Sequence, residues 1–255
     1  MIGEKKLLNH IIVYSDYNFK FEQYNIELFV KSEYFFSFLE KLENPTIVVI
    51  GGDGTMLHAV QKHYKKQLSF LGINFGNKGF LLQDKSIIQE PNIFKCKKYS
   101  LFEVYTQKQF KGIFINEINI ATVKGKLLDL NLKIGDKEEL NIKSDGILVS
   151  SPLGSTGYNL SLGGPLLSHQ SESIIITAKA PFSPKRIPSI VTNNTETIQI
   201  QNGERKNKFE IFLDGNEILS ENLDDIIQIK KSDIPLKFLI SEKYETIWEN
   251  KIFQL

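Results

Sequence analysis

Residues 47 to 55 read Ile-Val-Val-Ile-Gly-Gly-Asp-Gly-Thr, an unbroken apolar run that ends in a glycine-rich turn. The segment after the turn has apolar residues at helical spacing, namely Met56, Leu57, Val60 and Tyr64. We therefore expect a buried strand, a turn and the start of a helix, which is the layout of a phosphate site at the carboxyl end of a strand. The glycines remove side chains, so that backbone N–H groups can approach anionic oxygens closely.

Asp53 is the unusual member of this turn. A carboxylate repels phosphate, so its presence indicates a chemical task, either proton acceptance or contact through a metal ion. The alternative is an ordinary glycine turn with a solvated aspartate. We expect Thr55 to cap the following helix, whose amino end favours negative charge.

Two well-known nucleotide-binding loops do not match this turn. It lacks the Gly-Lys-Ser/Thr ending of a Walker A loop, and no Gly-x-Gly-x-x-Gly follows a strand in the chain. The sequence therefore disfavours a P-loop ATPase and a standard dinucleotide oxidoreductase.

Composition bounds the remaining possibilities. Lys and Arg number 31 against 30 Asp and Glu, so no basic surface for nucleic acid is indicated. Cys96 is the only cysteine of the chain, which excludes an internal disulfide and a Cys-rich zinc site. The histidines lack metal-ligand spacing with carboxylates, so we expect no metal site held by the protein itself. We expect a soluble, cytoplasmic protein without membrane contact, because no signal peptide and no apolar run of ~20 residues is present.

The chain changes character near its middle. Up to about Lys95 it alternates strand-like segments (10–14, 46–50 and 69–73) with helix-like segments (33–42 and 56–64). The fold class expected is an α/β amino-terminal domain plus an all-β carboxy-terminal domain. We expect the domains at 1–98 and 99–238, with a helical tail at 239–255, helical over 242–253, that returns to the first domain.

The second half has the alternation of two-sided strands. Leu128, Leu130, Leu132 and Ile134 point one way, and Asp129, Asn131 and Lys133 point the other. Turn signals follow at Gly135-Asp136, at Asn202-Gly203 between strands 197–200 and 209–213, and at Asp214-Gly215.

A second signature lies at residues 143–165. It reads Lys-Ser-Asp-Gly at 143–146 and Ser-Ser-Pro-Leu-Gly-Ser-Thr-Gly-Tyr at 150–158, with Ser161 and Gly-Gly-Pro soon after. Hydroxyl groups, glycines and one aromatic ring in a tight turn can wrap a flat polar ring by hydrogen bonding and stacking. The alternative is a Ser/Gly-rich surface loop, but strongly apolar strands flank the segment, and loops held on rigid elements tend to carry function.

These motifs together resemble one enzyme family. Gly-Gly-Asp-Gly-Thr is found in NAD kinases and in diacylglycerol or sphingosine lipid kinases, with a close variant in phosphofructokinases. The segment at 151–158 resembles the Thr-Pro-Thr-Gly-Ser-Thr-Ala-Tyr segment of NAD kinases, Ile115-Asn116-Glu117-Ile118 resembles their Asn-Glu signature, and residues 72–81 resemble their glycine-rich segment. The resemblance covers roughly residues 46 to 165 in the order of the family, and it implies the two-domain NAD kinase fold.

The resemblance also implies a role for each matched residue. Asp53 would activate the 2′-hydroxyl of the NAD adenosine ribose. The residues implied to line the phosphate path are Gly52, Gly54 and Thr55. The residues implied to contact NAD are Phe80 by packing, Asn116 and Glu117 at the adenosine half, Asp145 at the nicotinamide half with Lys143 close by, and Ser155, Thr156, Tyr158 and Ser161 in the adenine and ribose pocket.

The activity implied is transfer of a phosphoryl group from ATP, with Mg²⁺ brought by ATP, to NAD. Inorganic polyphosphate as donor and NADH as acceptor stay open, and the resemblance implies a homodimer or homotetramer. The chain departs from the family at Leu153 and Gly157, where Thr and Ala are usual, and at Phe182, where His is usual. Two alternatives are a lipid kinase, which would leave the Asn116-Glu117 and 155–158 signatures unexplained, and a catalytically weak NAD(P)-binding sensor, against which the intact Asp53 argues.

Overall fold

A computed structural model describes residues 2–8, 11–16, 33–40, 42, 45–76, 79–88, 93–123, 125–218 and 226–251. The chain forms two compact units, Met1–Tyr99 with Ile234–Leu255, and Ser100–Asp233. The sequence places the second boundary after residue 238, whereas the chain rejoins the first unit from Ile234. The physical reason is that the strand Leu236–Ser241 pairs within the sheet of the first unit.

The elements are numbered in chain order. The strands are β1 (Ile2–Leu8), β2 (Ile11–Asp16), β3 (Thr46–Gly51), β4 (Ser69–Asn74), β5 (Gln83–Asp84), β6 (Phe94–Tyr99), β7 (Phe102–Thr106), β8 (Gln109–Phe114), β9 (Glu117–Thr122), β10 (Leu128–Ile134), β11 (Leu140–Ser144), β12 (Gly146–Ser150), β13 (Ser173–Lys179), β14 (Ile190–Asn193), β15 (Ile198–Asn202), β16 (Phe209–Leu213), β17 (Asn216–Ile218), β18 (Ile227–Lys231) and β19 (Leu236–Ser241). The α-helices are α1 (Glu33–Glu40), α2 (Asp53–His63), α3 (Tyr158–Ser161) and α4 (Glu242–Asn250).

The first unit is built on one mixed sheet with the strand order β1-β2-β3-β4-β19-β6, and β5 pairs with β4. Strands β2, β3, β4 and β19 run parallel. The run Ile47-Val48-Val49-Ile50 is fully buried in β3, as expected for a central strand of a parallel sheet with both faces covered. The strands predicted at 46–50 and 69–73 are confirmed. The strand predicted at 10–14 begins at Ile11, and His10 lies outside the described residues.

The glycine turn leads into α2 one turn earlier than the apolar spacing predicts. The helix begins at Asp53, because Gly52 takes the N-cap position in extended backbone and its carbonyl accepts the amide of Met56 at 3.2 Å. The prediction that Thr55 caps this helix is therefore wrong. Thr55 is buried, and a Cβ on Gly51 would lie 2.4 Å from its Oγ1, so position 51 must lack a side chain.

The second unit consists of two six-stranded sheets, with the orders β11-β10-β15-β18-β7-β8 and β14-β13-β12-β9-β16-β17. Both sheets contribute to one apolar cluster, for example Leu130 and Leu132 from the first and Ile120 and Ile147 from the second. The alternation predicted in β10 is confirmed, since the four apolar side chains lie in the apolar cluster and Asn141 Nδ2 contacts both Asp129 and Asn131 on the opposite face. Asp129 on that polar face is only 2% exposed. Its carboxylate accepts a hydrogen bond from Asn141 Nδ2 at 2.6 Å, which stabilises the charge away from water.

The two turn signals near residues 202 and 214 have different outcomes. Strands β15 and β16 lie in different sheets, so the segment that starts at Asn202-Gly203 crosses between sheets and closes no hairpin. Asp214-Gly215 does close the β16–β17 hairpin, with φ of 48° and 82°, the pair of positive values that a two-residue type I′ turn requires.

The tail of the chain belongs to the first unit. Strand β19 pairs with β4 and β6, and α4 follows it directly. The helix predicted at 242–253 is seen at Glu242–Asn250, and residues 252 and 253 lie outside the described part of the chain. Among the described residues, no helix is long and apolar enough to cross a membrane.

Candidate active site

The carboxylate of Asp53 is held by the backbone of a later loop. The amide of Phe80 donates to Asp53 Oδ2 and the amide of Leu81 donates to Oδ1, both at 2.8 Å. Charge-assisted hydrogen bonds of this kind fix the orientation of a carboxylate. Asp53 is therefore an anchored group, and the solvated aspartate of an ordinary turn does not describe it.

Burial raises the pKa of the Asp53 carboxyl above its usual value. The hydrogen bonds from Phe80 and Leu81 and the positive charge of Lys251 oppose that rise. A carboxylate with a raised pKa is a better proton acceptor than an exposed one, because the driving force for proton transfer grows with basicity.

The glycines on either side of Asp53 leave its surroundings open. Among the residues that the structure describes, a Cβ on Gly52 or on Gly54 would meet nothing within 4 Å. Exposed N–H groups at a helix amino end attract anions. These two glycines suit a phosphate path, whereas Thr55 packs against Gly51.

Phe80 contributes through its main chain. Its backbone amide donates to the Asp53 carboxylate, and its side chain is half-buried. Packing of that side chain against NAD stays a prediction. Among the other residues of the glycine-rich segment, Asn74 accepts the amide of Gly76 at 2.9 Å, and Asn77 and Lys78 lie outside the described residues.

In the second unit, Asn116 and Glu117 stand where β9 begins. Within the described part of the chain, Asn116 Oδ1 and Glu117 Oε2 are buried and accept no hydrogen bond. Buried polar atoms are nearly always paired, so two adjacent orphaned acceptors indicate a ligand that supplies donors. Hydroxyl and amino groups of a nucleoside are donors of this kind.

Asp214 fixes the backbone of this pair, and the sequence reading treats it only as a turn residue. Its Oδ2 accepts the amide of Ile115 at 2.8 Å, and its Oδ1 accepts the amides of Asn116 at 2.7 Å and Glu117 at 3.1 Å. One carboxylate thus orders three successive residues. The Asp-Gly turn signal was visible in the sequence, but nothing local indicated a partner 98 residues away.

Burial and, to a smaller extent, the negative charge of Asp214 together raise the pKa of the Glu117 carboxyl to about 7. The carboxyl group therefore changes its protonation state near neutral pH. In its protonated form it can donate a hydrogen bond, and in its ionised form it accepts only.

The turn at 151–158 is fastened to the residues before β9. Ser151 donates through its amide to Asn116 O at 2.8 Å and through its hydroxyl to Ile115 O at 2.5 Å. A Cβ on Gly154 would lie 2.2 Å from Asn116 O, so this glycine permits the close approach of the two segments. The structure thus brings the Asn-Glu signature and the Ser/Gly-rich signature together.

The predicted side chains of this turn have different surroundings. Ser155 is fully buried, and its hydroxyl donates to Pro152 O at 2.8 Å and accepts the amide of Leu167 at 3.2 Å, so it holds the loop. Thr156 is half-buried, with its hydroxyl 3.5 Å from Leu153 O. Ser161 is exposed at the end of α3. Contact of Ser155, Thr156 and Ser161 with a ligand stays a prediction.

Tyr158 presents an open ring. It is 39% exposed, and the ammonium of Lys179 lies 5.2 Å from its ring centroid. Lys179 also donates to Asn119 Oδ1 at 3.2 Å, which holds the cation in place. An exposed aromatic face beside a fixed cation suits a flat ring that carries phosphates. No motif of the sequence includes Lys179.

Lys143 and Asp145 lie around the β11–β12 connection. The ammonium of Lys143 is 4.0 Å from Asp129 Oδ2. Asp145 is exposed, and its amide donates to Lys179 O at 2.9 Å, which brings it to the strand that carries Lys179. Among the described residues, no group of three or more His, Cys, Asp or Glu is arranged to hold a metal ion.

Comparisons with known proteins match both halves of the chain to one family. Residues 18–95 match the family model of the ATP-NAD kinase N-terminal domain, and residues 115–241 match that of the ATP-NAD kinase C-terminal domain. An NAD kinase of Methanosarcina barkeri is 30% identical over 200 residues, which are 76% of this chain and 72% of that protein. An NAD kinase of Rickettsia prowazekii is 30% identical over 182 residues, 68% of this chain and 70% of that protein.

Two solved structures share the fold. Yeast NADH kinase complexed with NADH superposes with a TM-score of 0.70 at 22% identity, over 83% of this chain and 67% of that one. An NAD kinase from Archaeoglobus fulgidus in complex with ATP superposes with a TM-score of 0.69 at 24% identity, over 94% of this chain and 98% of that one. With both domain models matched and relatives aligned over most of their length, this chain belongs to the NAD kinase family of phosphotransferases.

Proposed function

We propose that this chain transfers the terminal phosphoryl group of ATP to the 2′-hydroxyl of the adenosine ribose of NAD, which yields NADP and ADP. The proposal rests on the environment of Asp53, whose half-buried carboxylate accepts hydrogen bonds from two backbone amides and lies in an open glycine turn. The curated relatives named NAD kinase support the same acceptor.

In the proposed mechanism Asp53 accepts the proton of the 2′-hydroxyl. A ribose hydroxyl is a poor nucleophile, and a carboxylate cannot deprotonate it fully beforehand. The proton therefore moves late, as the bond between the 2′-oxygen and phosphorus forms and the bond to the ADP oxygen breaks. The raised pKa of Asp53 favours this transfer.

The second unit supplies recognition of the adenosine in this proposal. The orphaned acceptors of Asn116 and Glu117 would take donors from the nucleoside, and Tyr158 would stack on a ring. Asp145 and Lys143 would face the nicotinamide half. An acyl chain offers no donors to these oxygens, which is why we prefer NAD to a lipid acceptor.

ATP enters as its magnesium complex in this proposal. The Mg²⁺ neutralises phosphate charge, and it arrives with the nucleotide as part of the substrate. The open backbone at Gly52 and Gly54 supports binding of the phosphates. The choice between ATP and polyphosphate, and between NAD and NADH, is left to substrate competition assays.

We also keep the predictions of a homodimer or homotetramer and of a cytoplasmic location. Each sheet of the second unit has two edge strands among the described residues, such as β14 and β17, and pairing between subunits is one way to cover such edges. Light scattering coupled to gel filtration tests the assembly, and a single monomeric species at micromolar concentration would contradict it.

The activity is tested by incubating the pure protein with Mg-ATP and NAD and measuring NADP with an NADP-specific dehydrogenase. The matched acceptor control is an NAD analogue whose adenosine ribose is 2′-deoxyribose, so that it lacks only the proposed nucleophile. We expect NADP to accumulate from NAD and no phosphorylated product from the deoxy compound. Phosphorylation of diacylglycerol without formation of NADP would support the lipid-kinase alternative instead.

A further inference from the structure

Lys251 is the last of the described residues, far in sequence from the glycine turn, and it belongs to no motif of the sequence. It is the C-cap residue of α4. Its ammonium donates to Gly79 O at 2.5 Å and to Leu82 O at 2.7 Å. These carbonyls bracket the two residues whose amides hold Asp53.

The Gly79–Phe80 peptide group lies between two opposite charges. Its carbonyl accepts from the ammonium of Lys251, and its N–H donates to the carboxylate of Asp53 at 2.8 Å. A peptide group polarised from both ends makes each hydrogen bond stronger. The cation therefore acts on the carboxylate through one intervening peptide.

We propose that Lys251 is a positioning residue that fixes the carboxylate of Asp53 toward the acceptor hydroxyl by clamping the loop at residues 79–82. The inference rests on the proposed function of Asp53 as proton acceptor. Lys251 does not touch the reacting atoms in this account. Its work is to keep the amides of Phe80 and Leu81 pointed at Asp53.

The electrostatics agree with the geometry. Burial lowers the pKa of Lys251, while the charges of Asp53 and of Asp84 in β5 raise it. In return, the charge of Lys251 lowers the pKa of Asp53 against the larger effect of burial. Loss of this cation must therefore make Asp53 harder to ionise.

The test uses the full chain with three variants. Lys251→Met removes the charge and the donors at similar length, and Lys251→Arg restores both. Lys95→Met is the matched control, because Lys95 of β6 pairs with Glu242 and Glu245 of α4, so that its loss removes a lysine contact of the same helix without removing the clamp. Lys251→Gln replaces the methionine variant if circular dichroism shows that the latter does not fold.

The first readout is the pKa of the Asp53 carboxyl, measured by ¹³C NMR and assigned with Asp53→Asn. We expect Lys251→Met to raise this pKa, and Lys251→Arg and Lys95→Met to leave it near that of the wild type. An unchanged Asp53 pKa in Lys251→Met overturns the proposal, whether or not the protein phosphorylates NAD.

The second readout is kinetic. Lys251→Met should lower kcat about 10- to 100-fold, the effect of a misplaced reacting group, with KM for NAD changed less than about twofold. The acid limb of the kcat profile should move to higher pH, and Lys251→Arg should restore both. Equal losses of kcat in Lys251→Met and Lys95→Met without a shift of the profile would show a merely structural role. A wild type that makes no NADP refutes the proposed function, and the NMR titration then still decides whether Lys251 acts on Asp53.

Discussion

Asp214 and Glu117 are joined by two reciprocal hydrogen bonds. The amide of Asp214 donates to the carbonyl of Glu117 at 3.0 Å, and the amide of Glu117 donates to the Asp214 carboxylate at 3.1 Å. These two hydrogen bonds hold the turn of the β16–β17 hairpin against Glu117, the first residue of β9. The arrangement makes the shape of the Asn116-Glu117 segment depend on one carboxylate.

Asp214→Ala should loosen this segment. The variant leaves three backbone amides without their charged acceptor, and a hydrogen bond to a charged group contributes about 1.5–3 kcal/mol. We expect amide hydrogen exchange at residues 115–117 to accelerate about 10- to 100-fold. Lys108→Ala, which also places alanine at positive φ in an exposed hairpin turn, is the matched control. Protection at 115–117 equal to that of the wild type would show that Asp214 does not hold the segment.

Glu117 should make stability depend on pH. Its folded pKa of about 7 lies above the ordinary value of 4.5, so the folded chain binds the proton more tightly than the unfolded chain between these values. The free energy of unfolding should therefore fall as pH rises through this window. Relative to Glu117→Gln, which does not titrate, the wild type should lose about 2 kcal/mol between pH 5 and pH 8. Urea unfolding at the two pH values measures this, and parallel pH profiles for both proteins would refute the raised pKa.

Two glycines of the same turn should respond differently to alanine. Gly154→Ala places a Cβ 2.2 Å from Asn116 O, so the turn must move away from the Asn-Glu segment. At Gly157 the nearest atom to a Cβ is Gly154 O at 3.3 Å, a much smaller overlap, and φ is −90°, outside the left-handed region that favours glycine. We expect NAD affinity to drop more than about 10-fold in Gly154→Ala and to stay near wild type in Gly157→Ala. Similar affinities of the two variants in calorimetric titration would contradict this close approach.

Tyr158→Ala should weaken NAD binding by about 1–3 kcal/mol, the contribution of a base stacked on an aromatic ring. Tyr158→Phe keeps the ring and the neighbouring Lys179 cation, so it should retain most of the affinity. Calorimetry with NAD distinguishes the two variants. If Tyr158→Ala and Tyr158→Phe both bound NAD as tightly as the wild type, the proposed stacking of a base on Tyr158 would be wrong.

Local patterns predicted the parts of the site that are local. The apolar run of β3, the glycine turn and the helix are contiguous, so periodicity and turn chemistry suffice to place Asp53. The helix starts earlier than the apolar spacing predicts, because Gly52 takes the extended N-cap conformation without a capping side chain, and Thr55 packs on Gly51 instead.

Local sequence patterns cannot predict the supporting residues, because their partners are distant in the chain. Asp214 acts on a residue 98 positions away, and Lys251 acts on one 172 positions away. The sequence around Asp214 indicates only a turn, and the sequence around Lys251 indicates only a helix end, whether or not such distant partners exist. The crossing after Asn202 has a related cause, since the sheet to which β15 belongs is set by its pairing with the distant strands β10 and β18.

The most direct test of the account is the turnover of Asp53→Asn with Mg-ATP and NAD. The substitution keeps the size of the side chain and removes the proton acceptor, so kcat should fall by about two to four orders of magnitude. NAD should still bind, which calorimetric titration of the same preparation measures. Formation of NADP by Asp53→Asn at a rate near that of the wild type would contradict the central claim that this carboxylate accepts the proton of the 2′-hydroxyl.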